Sequence, residues 1–144
     1  MFRKILAVLL GVLVAGLVIT VVEGASHALW PPPPNLDLSR PEDMARLMEV
    51  VPLPAKIAVL VAWGLGSFAG GAVAARRAPD WPRGAASVVG GVQMAGGIAT
   101  MAMIPHPAWM VVGSVLVFLP SALLGAHLAR RPREGADGGH PTQS

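Results

Sequence analysis

The sequence predicts an all-α membrane protein with four transmembrane helices. Its 144 residues are 53% hydrophobic and only 13% charged, which is less charge than the surface of a soluble domain of this size carries. The apolar residues form four long uncharged runs. Each run is long enough to cross a hydrocarbon core of about 30 Å, because a helix needs roughly 20 residues to do so. The predicted spans are about residues 5–24, 56–76, 84–104 and 109–129.

The distribution of lysine and arginine predicts the orientation of the spans. Eight of the eleven basic residues flank the runs on one side. The positive-inside rule therefore predicts that both termini are cytoplasmic. Because basic residues at helix ends lie beside lipid headgroups, anionic lipid is expected as a partner and nucleic acid is not. The eight residues are Arg3, Lys4, Arg76, Arg77, Arg83, Arg130, Arg131 and Arg133.

The first run also has features of a secretory signal peptide. Arg3 and Lys4 precede it, and small residues follow near Ser26. However, the apolar region of a signal peptide is about 7–15 residues long, and this run is longer. We therefore expect an uncleaved span.

The predicted outer loop, residues 25–55, contains a stiff segment and a short amphipathic helix. Four consecutive prolines at residues 31–34 favour a polyproline strut of roughly 12 Å. Ser39 and Glu42 match a capping box, and Pro41 suits a first helical turn. The helix is expected to lie on the outer leaflet, to cap the bundle, or simply to connect two spans.

Small residues recur at four-residue spacing within the spans. In the second span Gly66, Gly70 and Ala74 follow this small-xxx-small pattern, which lets helix backbones approach closely. Gln93 lies near the middle of the third span and is expected to find a hydrogen-bond partner on another helix. The predicted packing residues of this four-helix bundle are Gly66, Gly70, Ala74, Gly90, Gln93, Gly97, Ser121 and Gly125.

Three tryptophans stand near span ends, where this residue often anchors a helix at the membrane interface: Trp30, Trp81 and Trp109. Residues 1–131 are predicted to form the transmembrane domain. The tail, residues 132–144, is polar and rich in glycine, and we expect it to be disordered.

Two pairs of segments resemble each other. Residues 71–77 and 125–131 both read G-A-x-x-A-R-R, and residues 27–30 and 106–109 both read H-x-x-W. One interpretation is a tandem helical-hairpin repeat related by an axis along the membrane normal. The other is that small residues followed by arginines are typical of inner helix ends. The sequence leaves both open.

Glu23, His27 and His106 form the candidate polar cluster at the predicted outer face. Glu23 and His27 are one helical turn apart, and His106 reaches the same level from the third span. Two imidazoles and a carboxylate are plausible ligands for a divalent metal ion, and histidine also responds to pH. A structural role at the membrane boundary is favoured instead, because Glu23 lies about 27 Å along the helix from Ile5 and so needs no partner. No metal site is predicted.

Three segments together resemble a family of small four-span bacterial membrane proteins. They are V-E-G-A-S-H-A-L-W-P-P-P at residues 22–33, A-W-G-L-G-S-F-A-G-G-A-V-A-A at residues 62–75, and I-P-H-P-A-W at residues 104–109. The resemblance covers nearly the whole chain except the tail. It implies the same four-helix layout and brings no activity, cofactor or catalytic residue with it.

The expected role is therefore that of a non-enzymatic structural or accessory protein of the bacterial inner membrane. No phosphate loop, nucleophile elbow or zinc-protease motif is present in the sequence, and no cofactor is predicted. Expected partners are the lipid bilayer and either a second copy or another membrane protein. The alternatives are a small transporter or channel for protons or metal ions that uses the Glu/His cluster, and a membrane enzyme acting on lipid.

Overall fold

The computed structural model describes residues 1–37, 39–104 and 106–129, and these residues form five helices without a strand. Four of the helices are long and apolar enough to cross a membrane. This confirms the predicted all-helical class and its four candidate spans. The tail predicted to be disordered lies outside the described residues. The helices are α1 Phe2–Leu29, α2 Pro41–Val50, α3 Leu53–Arg77, α4 Pro82–Met103 and α5 Ala108–Ala129.

The first helix extends beyond the end predicted for its span. α1 continues to Leu29, where the N–H of Trp30 donates to the carbonyl of Ser26 at 2.8 Å. Residues 25–29 contain no proline, so nothing in the sequence interrupts the helix before Pro31. The segment between α1 and α3 is therefore shorter than the predicted outer loop.

The central helix of the bundle is α3, which packs against α1, α4 and α5. Within the described residues α1 and α5 do not meet each other, and α2 packs closely against none of the other helices. We call the end of the bundle that carries α2 the α2 end. The opposite end, which carries Arg3, Arg77 and Arg83, is the basic end.

The predicted capping box at the start of α2 is wrong. The N-cap residue is Arg40, which makes no side-chain capping bond. Ser39 instead donates to Asp37 Oδ1, from its hydroxyl at 2.6 Å and from its backbone N–H at 3.0 Å. These two bonds, the hydroxyl first, lower the pKa of Asp37 below its ordinary value. Ser39 therefore stabilises a turn before the helix and does not cap it.

Small residues bring α1 and α3 into backbone contact. A Cβ added at Gly11 would lie 2.7 Å from the carbonyl oxygen of Gly70, and one added at Gly66 would lie 2.8 Å from that of Ala15. Ala74 is completely buried in the same seam. The small-residue row predicted on α3 thus faces a matching row on α1, made of Ala7, Gly11 and Ala15, which the sequence reasoning did not identify.

The fifth helix packs on α3 and α4 in the same way. A Cβ at Gly71 would collide with the carbonyl oxygen of Ala122, and a Cβ at Gly125 would collide with that of Phe68. On α4, a Cβ at Gly90 would lie 3.1 Å from the Cβ of Ala122. Every collision with a carbonyl oxygen marks a place where two helix backbones already touch.

Two further predicted packing residues also line the contacts of α5. A Cβ at Gly97 would press on the ring of Phe118, at 2.6 Å from its edge. Ser121 is half-buried, and its Oγ lies 3.6 Å from the position of a Cβ at Gly64.

The buried core consists mainly of alanine. Large side chains that are fully buried are few, and they include Val89, Met110 and Phe118. Because so little side-chain volume separates the helices, the distances between them are set by the backbones themselves. The buried alanines are Ala7, Ala15, Ala55, Ala62, Ala74, Ala75, Ala78, Ala85, Ala86, Ala122, Ala126 and Ala129.

Candidate functional site

The candidate site lies at the α2 end and is built around Trp63 of α3. This side chain is only 6% exposed. Its Nε1–H donates to Oε1 of Glu23 on α1 at 2.9 Å. Its ring stacks on Phe118 of α5, with 5.2 Å between the ring centroids. The ring of His106, in the turn between α4 and α5, is its other aromatic neighbour. The centroids of the His106 and Trp63 rings are 6.4 Å apart. Trp63 thus connects the helices that meet at this end.

The bond between Trp63 and Glu23 has a clear physical reason. A buried indole N–H needs an acceptor, because water is not available to it. Glu23 supplies that acceptor from the adjacent helix and is itself half-buried. Hydrogen bonds to charged groups contribute about 1.5–3 kcal/mol to stability. Glu23 therefore has a structural partner, which the sequence reasoning considered unnecessary.

The imidazole of His106 is oriented by its own backbone. Nδ1 lies 2.6 Å from the carbonyl oxygen of Ile104. Because a carbonyl oxygen only accepts, Nδ1 must carry the proton in this bond. In the neutral ring the other nitrogen, Nε2, is then an acceptor.

The predicted cluster is brought together only in part. Glu23 and His106 are both neighbours of Trp63, whereas His27 is exposed and makes no hydrogen bond among the described residues. In the part of the chain that the structure describes, no group of three or more His, Asp or Glu side chains could hold a metal ion. The geometry therefore supports a Trp–Glu pair with a neighbouring histidine rather than a three-ligand metal centre.

The central residue of this site was missed by the sequence reasoning. Trp63 falls inside a predicted span, whereas the predicted anchors Trp30, Trp81 and Trp109 stand at helix ends. The structure leaves those three 36%, 40% and 45% exposed. A tryptophan within a span, away from the interface, was the available signal, because its N–H must find an acceptor there.

Two buried polar atoms have no hydrogen-bond partner among the described residues: Oγ of Ser67 and Nε2 of Gln93. The partner expected for Gln93 on another helix is thus not found for its amide nitrogen in this part of the chain. Ser67 lies one turn beyond Trp63 on α3, toward the basic end. Thr20 and Thr100 do not extend this pair into a chain, since their hydroxyls donate to Gly16 and Gly96 of their own helices at 2.9 Å and 3.1 Å.

Comparison with protein families, curated proteins and solved structures gives no match to this chain. The fold itself defines the class: a helical protein with four candidate membrane-spanning helices, consistent with a multi-pass membrane protein. The resemblance to four-span bacterial membrane proteins stays a prediction.

Proposed function

We propose that this chain is a non-enzymatic structural or accessory protein of the bacterial inner membrane. The observation that carries the proposal is the contact between helix backbones along α1, α3 and α5. Gly11, Gly66, Gly71 and Gly125 each face a carbonyl oxygen of a neighbouring helix, so these seams have no room for a substrate path. Helices fixed in this way form a rigid unit suited to holding a position in the bilayer.

The same contacts restrict how the protein assembles with others. The glycines of these seams are used inside the single chain, so a partner must bind elsewhere. Among the glycines that the structure describes, the open positions are Gly16, Gly24, Gly91 and Gly96, because an added Cβ there would meet nothing within 4 Å. A second copy or another membrane protein would contact the outward faces of α1 and α4 that carry them.

Native mass spectrometry after purification in mild detergent tests this function. We expect a complex that contains a second copy or another membrane protein, since an accessory protein acts through a partner. A bare monomer under conditions that preserve other membrane complexes would contradict the proposal. Chemical crosslinking in intact membranes provides the control against dissociation by detergent.

We also propose that both termini are cytoplasmic, because Arg3, Lys4, Arg77 and Arg83 gather at the basic end. Alkaline phosphatase fused after Ser39 should be active, and the same fusion after Arg83 should be silent. The enzyme needs disulfide bonds that form only outside the cytoplasm, so its activity reports the side of the membrane. A fusion after Pro107, in the α4–α5 turn, should behave like the one after Ser39. The reversed pattern would contradict the orientation.

The tandem helical-hairpin repeat is supported by paired contacts between α3 and α5. Gly71 packs on Ala122, and Gly125 packs on Phe68. In the register that aligns the two G-A-x-x-A-R-R segments, Gly71 corresponds to Gly125 and Phe68 to Ala122. Each contact is thus the counterpart of the other, as expected at a two-fold axis between duplicated helices. Similar losses of stability in Gly71→Leu and Gly125→Leu would support the repeat, and clearly different losses would count against it.

The alternative is a small transporter or channel for protons or metal ions at Glu23, His27 and His106. The two buried atoms without a partner among the described residues, Oγ of Ser67 and Nε2 of Gln93, favour it because they place polar groups in the interior of the bundle. Purified protein in liposomes would then carry a proton or Zn²⁺ flux that Glu23→Gln abolishes. Flux equal to that of empty liposomes would remove the alternative.

A further inference from the structure

A cleft of about 210 Å³ opens at the basic end of the bundle. Phe2, Arg3 and Lys4 of α1 line one side of it. The other side is formed by Arg77, at the end of α3, and by Pro79 and Asp80 in the turn to α4. The cleft joins two chain segments that are distant in sequence, and neither the candidate site nor the proposed function accounts for it.

The cleft carries an excess of positive charge. Arg3, Lys4 and Arg77 are exposed, and among the described residues none of them lies within ion-pair distance of a carboxylate. Asp80 is the acidic residue in the lining, but it forms no salt bridge with them. Lys4 is held in place because its Nζ lies 5.6 Å above the centroid of the Trp81 ring. Three cationic residues therefore line one cleft, and none of them forms an ion pair among the described residues.

The helices beneath the cleft are tightly packed. Ala78, which is 4% exposed, lines the cleft and belongs to a buried cluster with Ala7, Ala74, Ala85 and Val89 from α1, α3 and α4. Because this cluster fixes the three helices against one another, the charged side chains extend from a rigid base. A site supported in this way loses less conformational entropy on binding than one built on loops.

One side of the cleft continues into apolar surface. Phe2 is 77% exposed, and Ile5 and Leu6 next to it on α1 are 59% and 55% exposed. A free anion would gain nothing from these side chains, whereas a ligand with both an anionic group and hydrocarbon chains would contact both surfaces. The combination favours a lipid over a soluble ion.

We propose that this cleft binds the phosphate of an anionic phospholipid whose headgroup carries a hydroxyl group. Arg3 and Arg77 can each form paired hydrogen bonds to phosphate oxygens, and Lys4 adds a point charge. Asp80 accepts from the headgroup hydroxyl, which explains a carboxylate in a cationic lining. The acyl chains lie along Phe2, Ile5 and Leu6. The inference rests on the proposed membrane location and adds a specific lipid partner.

Lipid retention by the purified full chain tests this proposal. The protein in neutral detergent is titrated with phosphatidylglycerol or phosphatidylcholine, and bound lipid is counted by native mass spectrometry. We expect one phosphatidylglycerol per chain to bind more tightly than phosphatidylcholine. The double variant Arg3→Gln, Arg77→Gln should lose about tenfold or more in affinity, because it removes two charged hydrogen-bond donors. Arg83→Gln should bind like the unmodified chain, since Arg83 lies at the same end outside the cleft.

A parallel titration with inorganic phosphate distinguishes the source of the bound group. Phosphate that binds as tightly as phosphatidylglycerol, with the same dependence on Arg3 and Arg77, would overturn the lipid assignment. Equal binding of the two lipids, or an equal loss in Arg83→Gln, would overturn the site altogether. Thermal unfolding by circular dichroism controls for folding of each variant. The native mass spectra also report copy number and protein partners. Failure of the lipid site is therefore separable from failure of the proposed function.

Discussion

Gly70→Leu is expected to lower the free energy of unfolding by about 3 kcal/mol or more, at the upper end of the range for overpacked cores. A Cβ at Gly70 would collide with the carbonyl oxygen of Gly11 and would lie 2.8 Å from the Cβ of Ala15 and 3.1 Å from Cγ1 of Val89. Two neighbouring helices would have to move, and one of the collisions involves backbone, which cannot rotate away. Unfolding in detergent micelles, followed by circular dichroism, measures the loss.

Gly91→Leu is the matched control for this experiment. A Cβ at Gly91 would meet nothing within 4 Å, although Gly91 lies in the middle of α4. We expect no loss of stability and a gain of up to about 1 kcal/mol, because leucine is a better helix former than glycine. Gly71→Leu and Gly125→Leu should lower the free energy of unfolding about as much as Gly70→Leu, because both glycines face a carbonyl oxygen. Equal free energies of unfolding in all four variants would contradict the close backbone contacts at Gly70, Gly71 and Gly125.

Trp63→Ala is expected to lower the free energy of unfolding by about 3–5 kcal/mol, the usual range for removing a buried tryptophan or phenylalanine. The substitution removes the stacked ring from Phe118 and takes the N–H donor from Glu23. Ile19, Val22, Met94 and Met101 pack against the same cluster, so a cavity would open between α1 and α4. Trp109→Ala should change stability little, because that ring is 45% exposed.

The contribution of the Trp63–Glu23 hydrogen bond can be isolated by a double-mutant cycle. Trp63→Phe retains a ring that can stack but removes the N–H, and Glu23→Gln retains an acceptor but removes the charge. If the bond acts as described, Glu23→Gln destabilises the unmodified chain and has almost no effect in the Trp63→Phe background. Additive losses in the double variant would show that the two side chains act independently.

The four spans and the small-residue row of α3 were predictable because both are properties of a single segment. Hydrophobic length locates a candidate span, and Gly66, Gly70 and Ala74 stand out at their spacing. The matching row on α1 was not recognised, because Ala7, Gly11 and Ala15 are dispersed among leucines and valines. Their importance depends on the alignment of α1 with α3, which neither segment specifies alone.

The candidate site was predicted in part for the same reason. Glu23 and His106 were identified as polar residues near span ends, but their common neighbour Trp63 lies on a third helix. The bond from Trp63 to Glu23 depends on the register between two antiparallel helices. The capping box failed for a more local reason: Asp37 competes for the hydroxyl of Ser39. The spacing of Ser39 and Glu42 alone does not show that a nearby carboxylate will bind the serine hydroxyl instead.

The alanine core has a consequence for the thermodynamics of folding. Lipid tails are as apolar as leucine, so burying large side chains between spans gains little in a bilayer, and association relies on dispersion forces at short range. Alanine and glycine have no rotamers to lose when they are buried, so the helices come together at almost no cost in side-chain entropy. A helix bundle of this kind achieves a single arrangement by geometric fit between backbones, and few buried side chains lose rotamer freedom.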